Sequence, residues 1–168
     1  GYFALKQWSD HHGNTLNVVE PPAGQEQVGR EWNDRILSAI TARTSVVLIS
    51  VIHWMSGVKF DIEAIGKRCR ESGTIFIVDG TQAVGAMSVD VQSWHIDALI
   101  CAGYKWLLVP YSTALGYFSE AFDEGRPIEE SWMNRTNSGR FSELTDYVDD
   151  YHLGAARYNV GQTSNFIL

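Results

Sequence analysis

Cysteine is scarce in this sequence, and its scarcity excludes two kinds of protein. The 168 residues contain only Cys69 and Cys101, and no two cysteines stand at CxxC spacing. Two isolated cysteines provide neither the disulfide framework of a small secreted domain nor a cysteine-based zinc site, so no metal is expected. We therefore expect a protein of a reducing compartment, the cytoplasm.

Basic charge and long apolar runs are also lacking. Lysine and arginine total 13 against 20 acidic residues, which gives a formal net charge of −7. Because this charge repels polyanions, neither nucleic acid nor an anionic membrane surface is expected as a partner. No apolar run approaches the roughly 20 residues that a membrane-spanning helix needs. No GxGxxG follows a predicted strand, which argues against a dinucleotide-binding domain.

The composition that remains is that of a globular domain. Apolar residues make up 45% of the chain and charged residues 20%, and this length allows one domain with a real core. The sequence begins at Gly1 without a methionine and stops on the apolar run 166–168. We therefore expect a piece of a longer protein.

The hydrophobic pattern predicts alternating helices and strands. Helical spacing of apolar residues is found over residues 28–42, and Asp61 and Gly73 are placed to begin and end a further helix. Short apolar runs predict four strands, at residues 45–52, 74–78, 98–101 and 113–118. The first two are rich in β-branched and aliphatic residues, which is typical of strands buried on both faces.

Two weaker elements complete the predicted order. Residues 2–12 resemble the end of a helix that Gly13 closes, and residues 16–20 form a short strand candidate. Strand, helix, strand in sequence indicates parallel neighbours with a right-handed crossover. The predicted fold is α/β, a mostly parallel sheet with flanking helices, followed by an irregular connection over residues 122–150.

Polar residues follow three of the predicted strands. His53 follows the first, Asp79 the second and Lys105 the third. Ligands of such sheets bind beyond the carboxyl ends of the strands, where these side chains would meet. An aspartate and a lysine that serve one cofactor, at the pyridine nitrogen and at the aldehyde carbon, are what proteins contribute to pyridoxal 5′-phosphate (PLP) chemistry. Desolvation of the lysine would favour the neutral amine that a Schiff base requires.

The stretch from Ser45 to Glu120 resembles the class V aminotransferase family of fold-type I PLP-dependent enzymes. This family includes cysteine desulfurases, kynureninases and isopenicillin-epimerase-like proteins. The matching pieces are HWMSG at residues 53–57, VDGTQAVG at residues 78–85 and GYKW at residues 103–106. Asp79 and Lys105 are 105 − 79 = 26 residues apart, as the family pattern requires. A weaker match, RYNVGQT at residues 157–163, is similar to the segment that precedes the family's small domain.

The resemblance implies a role for each matching residue. Lys105 corresponds to the lysine that binds PLP as a Schiff base and moves the substrate's α-proton, and Asp79 to the partner of the ring nitrogen. Gln82 corresponds to the residue that bonds the phenolic oxygen, and Thr81 to the one under the ring face. The remaining pocket positions correspond to His53, Trp54 and Tyr104.

The resemblance also implies the architecture and partners of the protein. We expect a three-layer αβα arrangement, with residues 1–150 as part of the PLP-binding large domain and residues 151–168 as the start of a connection toward a small domain. A small amino-acid substrate and a homodimer are expected. Departures from the family pattern occur at Ala102, a common phosphate-binding hydroxyl or thiol position, and at Val109 and Ser112, two loop glycine positions.

Other interpretations of the same residues stay open. Asp79 with Gly80 is a common turn pair, Lys105 is open to an ordinary surface role, and His53 is equally suited to a structural role. Arg157 suits a substrate carboxylate by its planar fork, or a structural contact. The alternative function is a non-catalytic α/β scaffold that has lost cofactor binding. Ala102, Val109 and the lack of the family's glycine-rich phosphate loop in this sequence favour it, and the intact Asp79, Gln82 and Lys105 oppose it.

Overall fold

The computed structural model describes residues 1–24, 26–159 and 161. Its helices are α1 (Tyr2–His12), α2 (Val28–Ala39) and α3 (Ile62–Ser72), and its strands are β1 (Val46–Ser50), β2 (Ile75–Asp79), β3 (Ala98–Ala102) and β4 (Ala114–Phe118). Four short 3₁₀ helices follow, at Glu120–Phe122, Trp132–Asn134, Phe141–Glu143 and Gly154–Tyr158. Residues 16–20 form no strand, so that prediction was wrong.

The four strands form one mixed sheet in the order β1-β2-β3-β4. The first three are parallel, with Ser50 beside Asp79 and Asp79 beside Ile100, and β4 runs antiparallel to β3. The predicted α/β fold, a mostly parallel sheet with flanking helices, is confirmed. Because β1, β2 and β3 all end at the same edge, the loops that follow them lie together there.

Helix α3 forms where its sequence places the capping residues. The Asp61 side chain accepts a hydrogen bond from the backbone N–H of Ala64 at 3.0 Å, and Gly73 ends the helix in the left-handed conformation. The apolar face of the helix, with Ile65 and Cys69 fully buried, packs on the sheet. This burial fixes the crossover between β1 and β2.

One face of the sheet is covered and the other is largely open. The covered face contributes Phe76 and Val78, which are fully buried beneath α2 and α3. Alternate residues point to the opposite face. There Ile77 of β2 is half-buried and Ile100 of β3 is 43% exposed, so the described residues leave this face partly uncovered. Asp79 lies on this open face, at the end of β2.

Among the described residues, none of the helices combines the length and the hydropathy of a membrane-spanning segment.

Candidate active site

Asp79 is the last residue of β2 and is exposed at the edge of the sheet. Its Oδ1 accepts a hydrogen bond from the backbone N–H of Thr81 at 2.9 Å, which closes a tight turn through Gly80. The turn role considered from the sequence is therefore present. It uses one carboxylate oxygen, and Oδ2 has no hydrogen-bond partner within the described part of the chain.

The turn after β2 is bonded to β3. The backbone N–H of Gly80 donates to the carbonyl of Ile100 at 2.8 Å, and the Thr81 Oγ1 accepts from the backbone N–H of Ala102 at 3.1 Å. These bonds bring the VDGTQ segment beside the strand that leads to Lys105. Two motif pieces that are separated in sequence thus form one structural unit.

A second contact joins the same two segments at Trp106. Its indole Nε1 lies 3.3 Å from Oε1 of Gln82. A Cβ built on Gly85 would lie 2.6 Å from the carbonyl oxygen of Trp106, and Gly85 has a φ of +91°. Only glycine permits both this conformation and this approach, so the two segments lie close together at their backbones.

Lys105 lies in the loop after β3 and is half-buried. Its Nζ is 5.9 Å from the centroid of the Tyr104 ring, a cation–π contact, and Tyr104 stacks on Tyr111 with centroids 4.5 Å apart. Over residues 1–24, 26–159 and 161, no ion pair or hydrogen bond reaches the Lys105 ammonium group. The stacked tyrosine pair was not evident from the sequence, because Tyr111 belongs to no motif.

His53 contacts the helical layer. Its ring lies 5.1 Å from that of Trp32 in an edge-on arrangement, and its Nδ1 is 2.8 Å from the Ser56 Oγ. No bond of the described residues joins His53 to Asp79 or Lys105, and these contacts favour the structural role. The neighbouring Trp54 is 69% exposed.

Arg157 is buried, and its guanidinium bonds backbone carbonyls. Its Nη1 donates to Gly125 at 3.0 Å and its Nε to His152 at 3.3 Å, which favours a structural contact. The rest of the weaker match, at residues 160, 162 and 163, lies outside the described residues. Residues 151–159 pack back toward β4, where Tyr158 stacks on Phe118 with centroids 4.4 Å apart.

One departure from the family pattern, in the loop that carries Lys105, has a conformation that favours glycine. Ser112, at an expected glycine position, has a φ of +79°; Val109, the other such position, is not left-handed, but its neighbour Leu108 has a φ of +57°. Both values lie in the left-handed region, which is unfavourable for side chains other than glycine. The Thr113 Oγ1 close by is a buried oxygen without a hydrogen-bond partner in the described chain.

The two cysteines are fully buried, as expected of inert core residues. Burial, with a smaller effect from Asp97, raises the pKa of the Cys69 thiol to about 12. Burial also raises the pKa of Cys101, with the negative charge of Asp79 as a second cause. Neither thiol is therefore suited to be a nucleophile.

Comparison with known proteins supplies the family. The model of the aminotransferase class-V family matches residues 3–130. The chain belongs to the class V aminotransferase family. This confirms the resemblance that the three sequence pieces indicated.

Individual relatives agree with this family. The cysteine desulfurase IscS of Shewanella baltica is 40% identical over 98 residues, 57% of this chain and 23% of its own length. Kynureninase 1 of Phaeosphaeria nodorum is 33% identical over 111 residues, 63% of this chain and 22% of its own length. These alignments span only about a fifth of the relatives.

Solved structures show the same fold. The cysteine desulfurase CsdA of Escherichia coli superposes with a TM-score of 0.72 at 17% identity, covering 95% of this chain and 37% of that one. This class V chain therefore has the fold of part of these structures.

The donor set at the sheet edge of this class V chain fits PLP. An unpaired carboxylate oxygen suits a pyridinium nitrogen, an unpaired amine suits an aldehyde, and an amide suits a phenolic oxygen. Asp79, Lys105 and Gln82 would supply these groups in that order. Asp79 ends β2 and Gln82 follows it, while Lys105 follows the adjacent parallel strand β3.

Proposed function

We propose that the protein containing this chain is a PLP-dependent enzyme acting on an amino acid through a Schiff base on Lys105. The observation that carries the proposal is a pair of oppositely charged side chains at one sheet edge. Each has a polar atom without a hydrogen-bond partner among the described residues. The Asp79 carboxylate keeps one oxygen without a partner, and Lys105 meets only an aromatic ring among the described residues. Ligands of such sheets bind at this edge, beyond the carboxyl ends of the parallel strands.

PLP, when bound, supplies an electron-accepting ring and a carbonyl carbon. The Asp79 carboxylate would hold a proton on the ring nitrogen, and Gln82 would donate to the phenolic oxygen. Thr81, fixed by its bond to Ala102, would lie under the ring. The Lys105 amine would attach the cofactor and move the proton at the substrate's α-carbon.

The assembly and domain boundary belong to the same proposal. Tyr111 and Leu108, in the loop that carries Lys105, are 74% and 86% exposed. Exposed apolar side chains beside a site suit contact with another subunit, and we propose a homodimer. Residues 1–150 would belong to the large domain, and the cytoplasm would be the compartment.

Borohydride reduction tests the lysine directly. In the whole protein loaded with PLP, reduction followed by peptide mapping should place the cofactor on Lys105. The exposed Lys59 and Lys67 are internal controls and should stay unlabelled. Label on either of these, with none on Lys105, would refute the assignment. A protein that stays colourless and unstabilised at saturating PLP would instead support the non-catalytic scaffold.

A further inference from the structure

The contact between Trp106 and Gln82 fixes the orientation of an amide. The indole Nε1–H is a donor only, so the glutamine atom that faces it at 3.3 Å must be the oxygen. The two N–H bonds of the Gln82 amide consequently point elsewhere. They have no acceptor within residues 1–24, 26–159 and 161.

Both partners of this contact are held by their backbones. Gln82 lies in a turn in which Ala83 and Val84 donate to the Gly80 carbonyl at 2.8 and 2.9 Å. Gly85 then approaches the Trp106 carbonyl so closely that no Cβ fits. The turn that contains Gln82 and the close approach at Gly85 therefore bring the indole and the amide next to each other.

The exposure of Trp106 shows that core packing does not explain its place. The side chain is 53% exposed, unlike Trp32, which is 8% exposed and belongs to the core. Within the described residues the contact of the Trp106 indole nitrogen with Gln82 is therefore not a by-product of core packing.

We infer that Trp106 is a positioning residue, whose indole holds the Gln82 amide with its N–H bonds free to donate to the phenolic oxygen of PLP. This inference rests on the proposed function. An amide can rotate to exchange its oxygen and nitrogen, and the oxygen would repel a phenolate. The bond from Trp106 favours the orientation that presents the donor.

The pH dependence of the visible spectrum of bound PLP measures this effect. A donor on the phenolic oxygen stabilises its charged form, so loss of the donor raises the pKa at which the spectrum changes. Trp106→Phe in the PLP-loaded whole protein keeps an aromatic ring without the N–H. The midpoint should rise by about half a pH unit, because a hydrogen bond of 3.3 Å is long.

A double variant separates positioning from a general effect. Gln82→Met should raise the midpoint by up to about one pH unit, and adding Trp106→Phe to it should cause no further rise. Trp132→Phe is the matched control, since this tryptophan is 40% exposed and lies in a different segment, and its midpoint should equal that of the parent.

The outcomes distinguish this inference from the proposed function. A coloured Trp106→Phe protein with an unchanged midpoint, or a further rise in the double variant, would overturn the positioning role and leave the cofactor assignment standing. A parent protein without a PLP-dependent band would overturn both.

Discussion

The sheet region, residues 46–118, and the segment after it, residues 120–159, are stabilised in different ways. The largest fully buried side chains, Asn134 excepted, lie in the first: Val51, Ile65, Cys69, Phe76, Val78 and Cys101. The second is organised around polar side chains that bond the backbone. Asn137, for example, donates to the carbonyls of Glu143 and Asp146 at 2.9 and 3.0 Å.

This difference teaches where sequence patterns carry structural information. Apolar burial imposes a period of two or 3.6 residues, which is visible in a single sequence. A buried asparagine that donates to carbonyls of an irregular segment produces no such period of apolar residues in the sequence. The family's three matching pieces also lie in the sheet region, so the candidate site and the predictable structure coincide there.

The largest expected effect separates the two regions by activity. Asp79→Asn keeps the shape of the side chain but cannot hold a protonated ring nitrogen, so we expect turnover to fall by about a hundredfold or more. Asp146→Asn, an exposed aspartate of the second region, should leave turnover unchanged. Steady-state kinetics of the PLP-loaded protein test this pair. Activity of Asp79→Asn within a few-fold of the parent would leave only the turn role.

Truncation of an apolar side chain should lower the free energy of unfolding in the sheet region and leave it almost unchanged in the second region. Ile65 is fully buried beneath the sheet, and Ile65→Ala should lower the free energy of unfolding by about 2–5 kcal/mol. Ile128 in the second region is 99% exposed, and Ile128→Ala should change it by less than about 0.5 kcal/mol. Urea unfolding measures both. Equal losses would contradict the comparison.

A polar deletion should show what holds the second region. Asn134 is fully buried, and its amide bonds the carbonyl of Glu129 and the N–H of Ser131. Asn134→Ala leaves both groups without a partner and should cost about 1–3 kcal/mol in urea unfolding. The exposed Asn17 supplies the control variant Asn17→Ala, for which almost no change is expected.

A small gain is expected at the strained loop of the sheet region. Ser112→Gly removes a Cβ from a residue with a φ of +79°, which should raise the free energy of unfolding by about 1 kcal/mol. Ser142→Gly, in an ordinary 3₁₀ turn, should instead lower it slightly. A loss at Ser112 would show that its side chain has a role of its own.

The smallest effect at neutral pH concerns the thiols. Because burial raises the folded-state pKa of Cys69 to about 12, an unfolded chain loses that proton at lower pH, near 8.5. Stability should therefore decline as the pH rises from about 8.5 toward 12, less steeply in Cys69→Ala. A thiol reagent at pH 8 should label neither cysteine until urea is added. Rapid labelling of the folded protein would contradict this.

The sequence predicted the sheet, its crossover helix with both caps, and the segments that converge at the edge. It did not predict which face the described residues leave uncovered, because a continuous apolar run has no period that separates the two faces of a strand. The family match named Gln82, but the bond from Trp106 depends on a side-chain distance across 24 residues, which periodicity does not encode. The left-handed conformation of Leu108 could not be predicted either, since nothing in its residue type favours that conformation.

The close approach of Gly85 to Trp106 has a consequence for how this family can vary in length. Contacts join the two segments. These contacts, and not the interval of 26 residues between Asp79 and Lys105, therefore set the relative position of the two segments. Ser88 is exposed and lies between these contacts. Closing a longer loop costs little, about 0.6 kcal/mol for each doubling. Insertions at this point would lengthen the interval while the sheet edge at Asp79 keeps its geometry.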